Sequence, residues 1–316
     1  MSEGTVDFNT ITPYLRDVYN RVMIEDAPQT LVYRLHTDKE SIPMKNGDGM
    51  VWYTYDDYPD VTTPLTDGVY GAARRPVRRT ISARTEAYGD YGKYTKKMIN
   101  TNLEDFTMIQ IKKFARQSAK TFDTLMRDTY YTGVSYINAT NGVDGTPGTL
   151  TEVTSKDFAV AAKMLRSNEA PYVETKMGAS TLINTGSVSP AYIAYVHTDL
   201  RDDIRNMGPM FRDVKDYGSQ KTPYSMELGS VGNVRILETP NGKKVGTTYS
   251  IIITADGAAG EVDIAGNGYN IYRHGFGSAG TGDPHSMFMT IGWDGNWAGV
   301  IKKDNFCCNL RCISAS

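Results

Sequence analysis

The stretch Gly275-Phe276-Gly277-Ser278-Ala279-Gly280 has the GxGxxG spacing of a phosphate cradle, and it follows a strand-like segment. That chemistry needs a helix opening directly after the glycines, so that its N-terminus meets a pyrophosphate. Thr281-Gly282-Asp283-Pro284 follows instead, and too little chain remains for a βαβ unit with a ribose-binding acid. The spacing therefore predicts a tight turn. His197, Asp199 and Asp202 are metal-ligand types, but at a strand-to-helix corner such aspartates usually cap, and Thr198 or Asp199 is expected to cap a helix over Leu200–Met207. His36, His274 and His285 have no nucleophile or second ligand at a recognised spacing, and GxSxG, P-loop and HExxH patterns are absent. Cys307, Cys308 and Cys312 crowd one strand-like segment. Cys308 and Cys312 would point the same way about 13 Å apart, too far to bridge, so all three are expected as buried thiols. Nothing in the chain argues for an enzyme, a cofactor or a metal.

Other chemistry lies in charge and exposed apolar residues. Arg74, Arg75, Arg78 and Arg79 make a local positive cluster. Its readings, in order, are an acidic neighbour across a protein interface, nucleic acid, or solvated surface charge. Lys112, Lys113, Arg116, Lys120 and Arg127 share one side of a helical stretch, interrupted by Asp123. They read either as a solvated face or as a stripe meeting a polyanion. The net charge of −2 excludes a chain that is polybasic throughout. With 316 residues, 40% hydrophobic and 22% charged, the composition is that of a folded protein of one large or two medium domains. No apolar run reaches the roughly 18 residues of a membrane span. The polar, acidic start MSEGTVDFNT is unlike a secretory signal, which implies assembly in a cytoplasm.

The elements that must carry these residues are organised around Asn102–Thr132. This stretch lacks Gly and Pro and repeats Leu103, Phe106, Ile111, Phe114, Ala115, Ala119, Phe122, Leu125 and Met126 at helical spacing. Asn102 is the expected N-cap, Gly133 the expected left-handed C-cap, and the length about 45 Å. A strut of that length needs flanking structure to bury its stripe. Upstream, Thr12-Pro13 opens a short helix with Leu15, Val18, Tyr19 and Val22 on one side. Leu31–His36 and Met50–Tyr55 read as strands around the turn Asn46–Gly49, and residues 78–87 as a further long strand. The link 57–77, with Pro59, Pro64 and Pro76, shows little pattern and suits contact with a partner. A projecting two-stranded arm is marginal in water unless another subunit covers it. Downstream come a helix over Ser155–Arg166, with Phe158, Ala161, Ala162 and Leu165 inward, and strands at Tyr192–Val196, Val234–Leu237, Tyr249–Thr254 and Tyr269–Arg273. Met287–Ile313 reads as a long hairpin. The expected class is α+β.

A series of short motifs runs through these pieces, beginning with Ile42-Pro43, Lys45 and Gly47 before MVWYTY, then Pro64-Leu65-Thr66-Asp67-Gly68-Val69 and Tyr88-Gly89-Asp90-Tyr91-Gly92. YIAYVHTDLRDDIR at 192–205, FRDVKDYG at 211–218, Glu227-Leu228-Gly229, VRILETP at 234–240 and GSAGTGDP before Ile291-Gly292-Trp293 complete it. In the order of its pieces the chain resembles the major capsid proteins of tailed bacteriophages, with the Hong Kong 97-type fold, and in these motifs the N4-like podovirus family. Asp67 stands where the family commonly has Glu, His197-Thr198 where it has His-Pro, and 240–268 is individual to this chain.

The resemblance implies an N-terminal arm (1–30), an extended loop with its base (31–98), a peripheral domain (99–150 and 285–316, with spine helix 102–132) and an axial domain (151–284). It implies a coat protein that assembles as homo-pentamers and homo-hexamers into an icosahedral shell around double-stranded DNA, held without sequence preference. Portal, scaffold or decoration proteins would be further partners, a membrane would not, and the virion would be its location. Candidate inter-subunit contacts are Trp52, Tyr53, Tyr55, Pro64, Leu65, Arg74, Arg75, Arg78 and Arg79. Candidate genome-facing residues are Lys112, Lys113, Arg116, Lys120 and Arg127. The alternative with the same architecture is an encapsulin-like bacterial nanocompartment shell; a nucleotide-binding enzyme and a decoration or tail protein are more distant alternatives.

Overall fold

The computed structural model describes residues 31–316 except 57, 65–66, 68–72, 102–105, 143–149, 174–189, 215–223, 225, 267 and 316. The expected N-terminal helix, and the Asn102 cap, fall outside the described residues.

In chain order, β1 (Asp38–Ile42) leads into β2 (Gly49–Tyr55) and β3 (Arg78–Arg84), then β4 (Glu86–Thr95), α1 (Lys96–Thr101) and the spine helix α2 (Phe106–Gly133). There follow β5 (Tyr136–Asn138), α3 (Ser155–Ser167), β6 (Tyr192–His197), α4 (Arg201–Arg205), β7 (Phe211–Asp213), β8 (Glu227–Val231) and β9 (Val234–Thr239). The last strands are β10 (Lys243–Val245), β11 (Thr248–Thr254), β12 (Ala259–Ile264), β13 (Asn270–His274), β14 (Phe288–Ile301) and β15 (Cys307–Ile313).

Among the described residues three sheets form: β2–β3 alone, a five-stranded sheet built on β14, and an eight-stranded sheet running β5-β15-β11-β6-β9-β8-β7 with β10 beside β11. Alternate residues of β6 and β11 feed two cores. Ile193, Tyr195 and Ile252 join Phe122, Met126 and Tyr130 of α2, whereas Tyr192, Ala194, Ile251 and Ile253 join Phe158 and Leu165 of α3 and Ile204 of α4. A sheet covered on both faces explains why β6 is apolar almost throughout.

Phe122 lies 5.7 Å from the Trp293 ring and 6.0 Å from that of Trp297. Two glycines of β14 let the helix come this close. A Cβ on Gly295 would stand 3.0 Å from Phe122 Cζ, and one on Gly299 would stand 3.1 Å from Met126 Sδ. Asp123, next to Phe122, is fully buried and turned inward, so it does not interrupt an outer basic stripe. Its carboxylate accepts from the Tyr33 backbone N–H (3.0 Å) and from Asn241 Nδ2 (2.8 Å). Burial pushes this carboxyl up, against the pull of those two donors and of Arg34 and Arg127.

Several expectations are corrected. Leu31–His36 is a turn, not a strand: Val32 and Tyr33 are buried anchors, and the Tyr33 N–H bonds the helix carboxylate where a strand would need a neighbour. The strand expected over 78–87 ends at Arg84, and a separate strand β4 begins at Glu86. Gly133 is the last helical residue and does not take positive φ; its missing Cβ makes room for Ile301. His197, not Thr198 or Asp199, caps the turn after β6, its Nδ1 accepting from the Asp199 N–H at 3.0 Å. Asp199 instead takes a hydrogen bond from the Tyr249 hydroxyl at 2.7 Å.

Met287–Ile313 is not a hairpin. One edge of β14 pairs with β4 over Phe288–Trp297, and the other pairs with β13 and then β12. With both edges taken, β15 crosses to the other sheet, antiparallel to β11 and parallel to β5. The sheets therefore cut across the expected domain division, since β12 and β13 belong with β14 while β15 belongs with β6 and β11.

Phe122→Ala is expected to remove about 3–5 kcal/mol of unfolding free energy, read as a lower denaturant midpoint. Asp123→Ala, which strands the Tyr33 N–H, is expected to cost about 1–3 kcal/mol in the same measurement.

Candidate assembly interface

Strands β2 and β3 pair in one register from Gly49–Arg84 to Tyr55–Arg78 and have no third strand among the described residues. Alternation places Val51, Tyr53 and Tyr55 on one face of this ribbon, and they are 46%, 57% and 60% exposed. Tyr58, Val61 and Val77 extend the exposed apolar surface into the loop. Apolar surface of this extent beside unpaired strand edges is characteristic of a surface that another chain covers.

The predicted contact residues divide. Tyr53 and Tyr55 are exposed, as are Pro64 and Arg75; Leu65 lies outside the described residues. Three of the four arginines are held locally. Arg74 Nη1 donates to the Pro59 carbonyl (3.1 Å), Arg78 stacks 4.5 Å from the Tyr53 ring centre, and Arg79 pairs with Asp56 at 2.7 Å. These contacts order the ribbon's surface more than they add free positive charge.

Trp52 faces the other way and is half-buried. Its Nε1 donates to both Glu40 carboxylate oxygens at 2.9 Å. Lys302, just past β14, donates to Glu40 Oε1 (2.6 Å) and to Asp38 Oδ2 (3.0 Å). Partial burial works against the Glu40 carboxylate, but the hydrogen bonds from Lys302 and Trp52 and the ammonium charge outweigh it and hold its pKa below the usual range. Trp52 is therefore a tether between arm and body. A sequence could have hinted at this only through its place on the inward alternation of β2; its partners lie 12 and 250 residues along the chain.

On the spine helix Lys112, Lys113, Arg116 and Lys120 are exposed. Arg127 departs from them. Its Nη1 donates to the Asn241 backbone carbonyl (3.0 Å) and Oδ1 (3.1 Å), and its Nη2 pairs with Asp128 (3.0 Å). The helix's rotation toward β10 takes it out of any outer stripe. The Gly275–Gly280 stretch is a series of tight turns before β14, with Gly277 and Gly280 at positive φ. The three cysteines are buried thiols, and burial pushes Cys308 and Cys312 up to about 12.

A sequence model of the phage capsid protein family matches residues 78–294 of the 316. The chain belongs to the phage capsid protein family. The match runs from the start of β3 to the first half of β14, and so takes in the spine helix, the five-stranded sheet apart from β1 and the end of β14, and the eight-stranded sheet apart from β15. No curated protein sequence matches the chain. Among solved structures, the capsid of Ralstonia phage GP4 superposes with a TM-score of 0.67 at 10% identity, covering 89% of this chain and 87% of that one. The capsid of cyanophage P-SCSP1u gives 0.62 at 10% identity, covering 90% and 89%. The SrpI encapsulin of Synechococcus elongatus gives 0.54 at 10% identity, covering 99% and 92%. The α+β fold is the Hong Kong 97-type capsid fold, and membership of the phage capsid protein family gives the chain a structural role.

Trp52→Phe, which keeps the ring but loses the Nε1 donor, is expected to speed amide exchange across β2 about tenfold, the effect of one charge-assisted hydrogen bond at a partly exposed site. Because Glu40 is depressed when folded, its contribution is present above the ordinary carboxylate pKa and is lost as pH falls through the folded value. Glu40→Gln should therefore reproduce at pH 7 the looser arm expected of the wild type once the pH has fallen below the depressed folded pKa of Glu40, measured by arm proteolysis.

Proposed function

We propose that this capsid protein closes by cyclic contacts into homo-pentamers and homo-hexamers, and that these build an icosahedral shell around the double-stranded DNA of a tailed phage. The observation that carries the reading is the two-stranded arm, whose exposed Val51, Tyr53 and Tyr55 lack cover from the described body. Laid across a neighbouring subunit, that face and its strand edges leave water, and weak contacts summed around a ring give a stable, correctable shell. Rings that close by rotation need only one such arm per copy. Assembly in the host cytoplasm, together with portal, scaffold and decoration proteins, is consistent with this role.

The exposed Lys112, Lys113, Arg116 and Lys120 are the side chains offered to packaged DNA, through phosphate charge and without base readout. The near-neutral net charge of −2 suits a container, since a strongly basic lining would grip the genome. A second reading, a nanocompartment shell, is favoured by one observation, the 99% coverage of this chain by the encapsulin. Its particles would hold protein cargo in place of DNA.

Negative-stain microscopy and nuclease protection of particles test the proposal: closed shells with protected double-stranded DNA are expected, and protein-filled shells favour the second reading. Tyr53→Asp with Tyr55→Asp is expected to leave folded, unassembled chain by sedimentation. Charge reversal at Lys113, Arg116 and Lys120 should lower DNA content per particle, and full particles from that variant would remove the helix from the lining.

A further inference from the structure

Between the spine helix and strands β1 and β12 lies a cavity of about 420 Å³, within the range of small-ligand sites. Phe122, Trp297 and Tyr269 give it aromatic walls, and Ala115 and Ala119 an apolar helix wall. Glu261 and Asp263 of β12 bring carboxylates to the same space. Glu261 is only 4% exposed. Its Oε2 accepts from Arg34 Nε at 2.5 Å and from Trp297 Nε1 at 3.1 Å. Its Oε1 accepts no hydrogen bond from any described residue. The Lys39 ammonium stands 3.5 Å from that oxygen, on a side chain 67% exposed and free to swing into solvent. A buried carboxylate oxygen without a donor is a costly arrangement that a ligand donor would relieve.

The chain itself indicates which donor suits the place. Arg34 lies with its guanidinium carbon 5.4 Å from the centre of the Phe122 ring while its Nε bonds Glu261. Aromatic faces beside a desolvated carboxylate select organic cations over neutral molecules and over anions. We propose that this cavity binds an alkylguanidinium or alkylammonium group, with its head on Glu261 Oε1 beside Asp263 and its stem along Ala115, Ala119 and Trp297. The cation reaches the site either as a free small molecule or as an arginine side chain of a second copy, whose arm presents the exposed Arg75.

Two probes titrated calorimetrically into the full-length chain separate these sources: agmatine, a free guanidinium on a short amine-ended stem, and a synthetic peptide of residues 73–80. At least one is expected to bind with a dissociation constant below about 1 mM. Glu261→Gln should weaken that binding about tenfold or more. Ala119→Phe, which fills the cavity and leaves its charges alone, should abolish it, with thermal unfolding used to verify that each variant is folded. Asp263→Asn, away from the Arg34–Glu261–Trp297 contacts, serves if Glu261→Gln unfolds, and should weaken binding too. Agmatine binding assigns the site to a free cation, and peptide binding alone assigns it to the arm of another copy. If neither probe binds, or if binding survives both the cavity-filling and the carboxylate variants, the proposal is overturned and Oε1 is served by water.

Discussion

Strand β14 is the member on which the capsid protein's architecture depends, because hydrogen bonding uses both of its edges and one of its faces carries the spine helix. β4 takes one edge, β12 and β13 the other, and Phe122 seats between Trp293 and Trp297. Packing of this density depends on side chains that are absent as much as on those present. Gly295 and Gly299 let the helix approach the strand, so the aromatic rings are shared between helix and sheet without overpacking. The eight-stranded sheet then closes on the same helix through Tyr130 and Tyr195, and a second core beneath α3 completes the body.

Against this well-buried body the arm is a contrast in physical design. Among the described residues its strands have one partner each, its outward face holds exposed aromatic and branched residues, and a cluster at its base, Trp52, Glu40, Asp38 and Lys302, ties it to β1 and to the end of β14. A rigid body joined to a weakly held projection is suited to a subunit that must fold alone and then find neighbours. The body's stability comes from within the chain. The arm's exposed apolar face has no cover from the described residues of its own chain, and a base held by partly exposed charged groups can adjust its angle at small cost.

Much of the fold was legible in the sequence. The spine helix, the helix over Ser155–Ser167, the ribbon's first strand and strands β6, β9, β11 and β13 follow from apolar period and turn residues, which are local properties of the chain. The order of motifs also pointed to the family. β4 escaped notice because its Tyr-Gly pairs recur every three residues, out of step with the two-residue alternation of a strand, and Gly89 leaves room for the backbone of the neighbouring Trp293 where an amphipathic strand would place a side chain.

Whether a segment forms a strand is largely a local matter, and the sequence by itself determined it for the longer and more apolar strands, along with the overall class. Which strand it pairs with is not local. β14 and β15 look like a hairpin until β4, β12 and β13, brought from distant positions, fill both edges of the first. Helical spacing alone likewise could not tell that Asp123 turns inward to Tyr33 and Asn241, that Arg127 bonds Asn241, or that Trp52 is spent on Glu40. Those assignments belong to the tertiary structure, because a charged or hydrogen-bonding side chain is placed by the partner that offsets its desolvation, and that partner can lie anywhere along the chain.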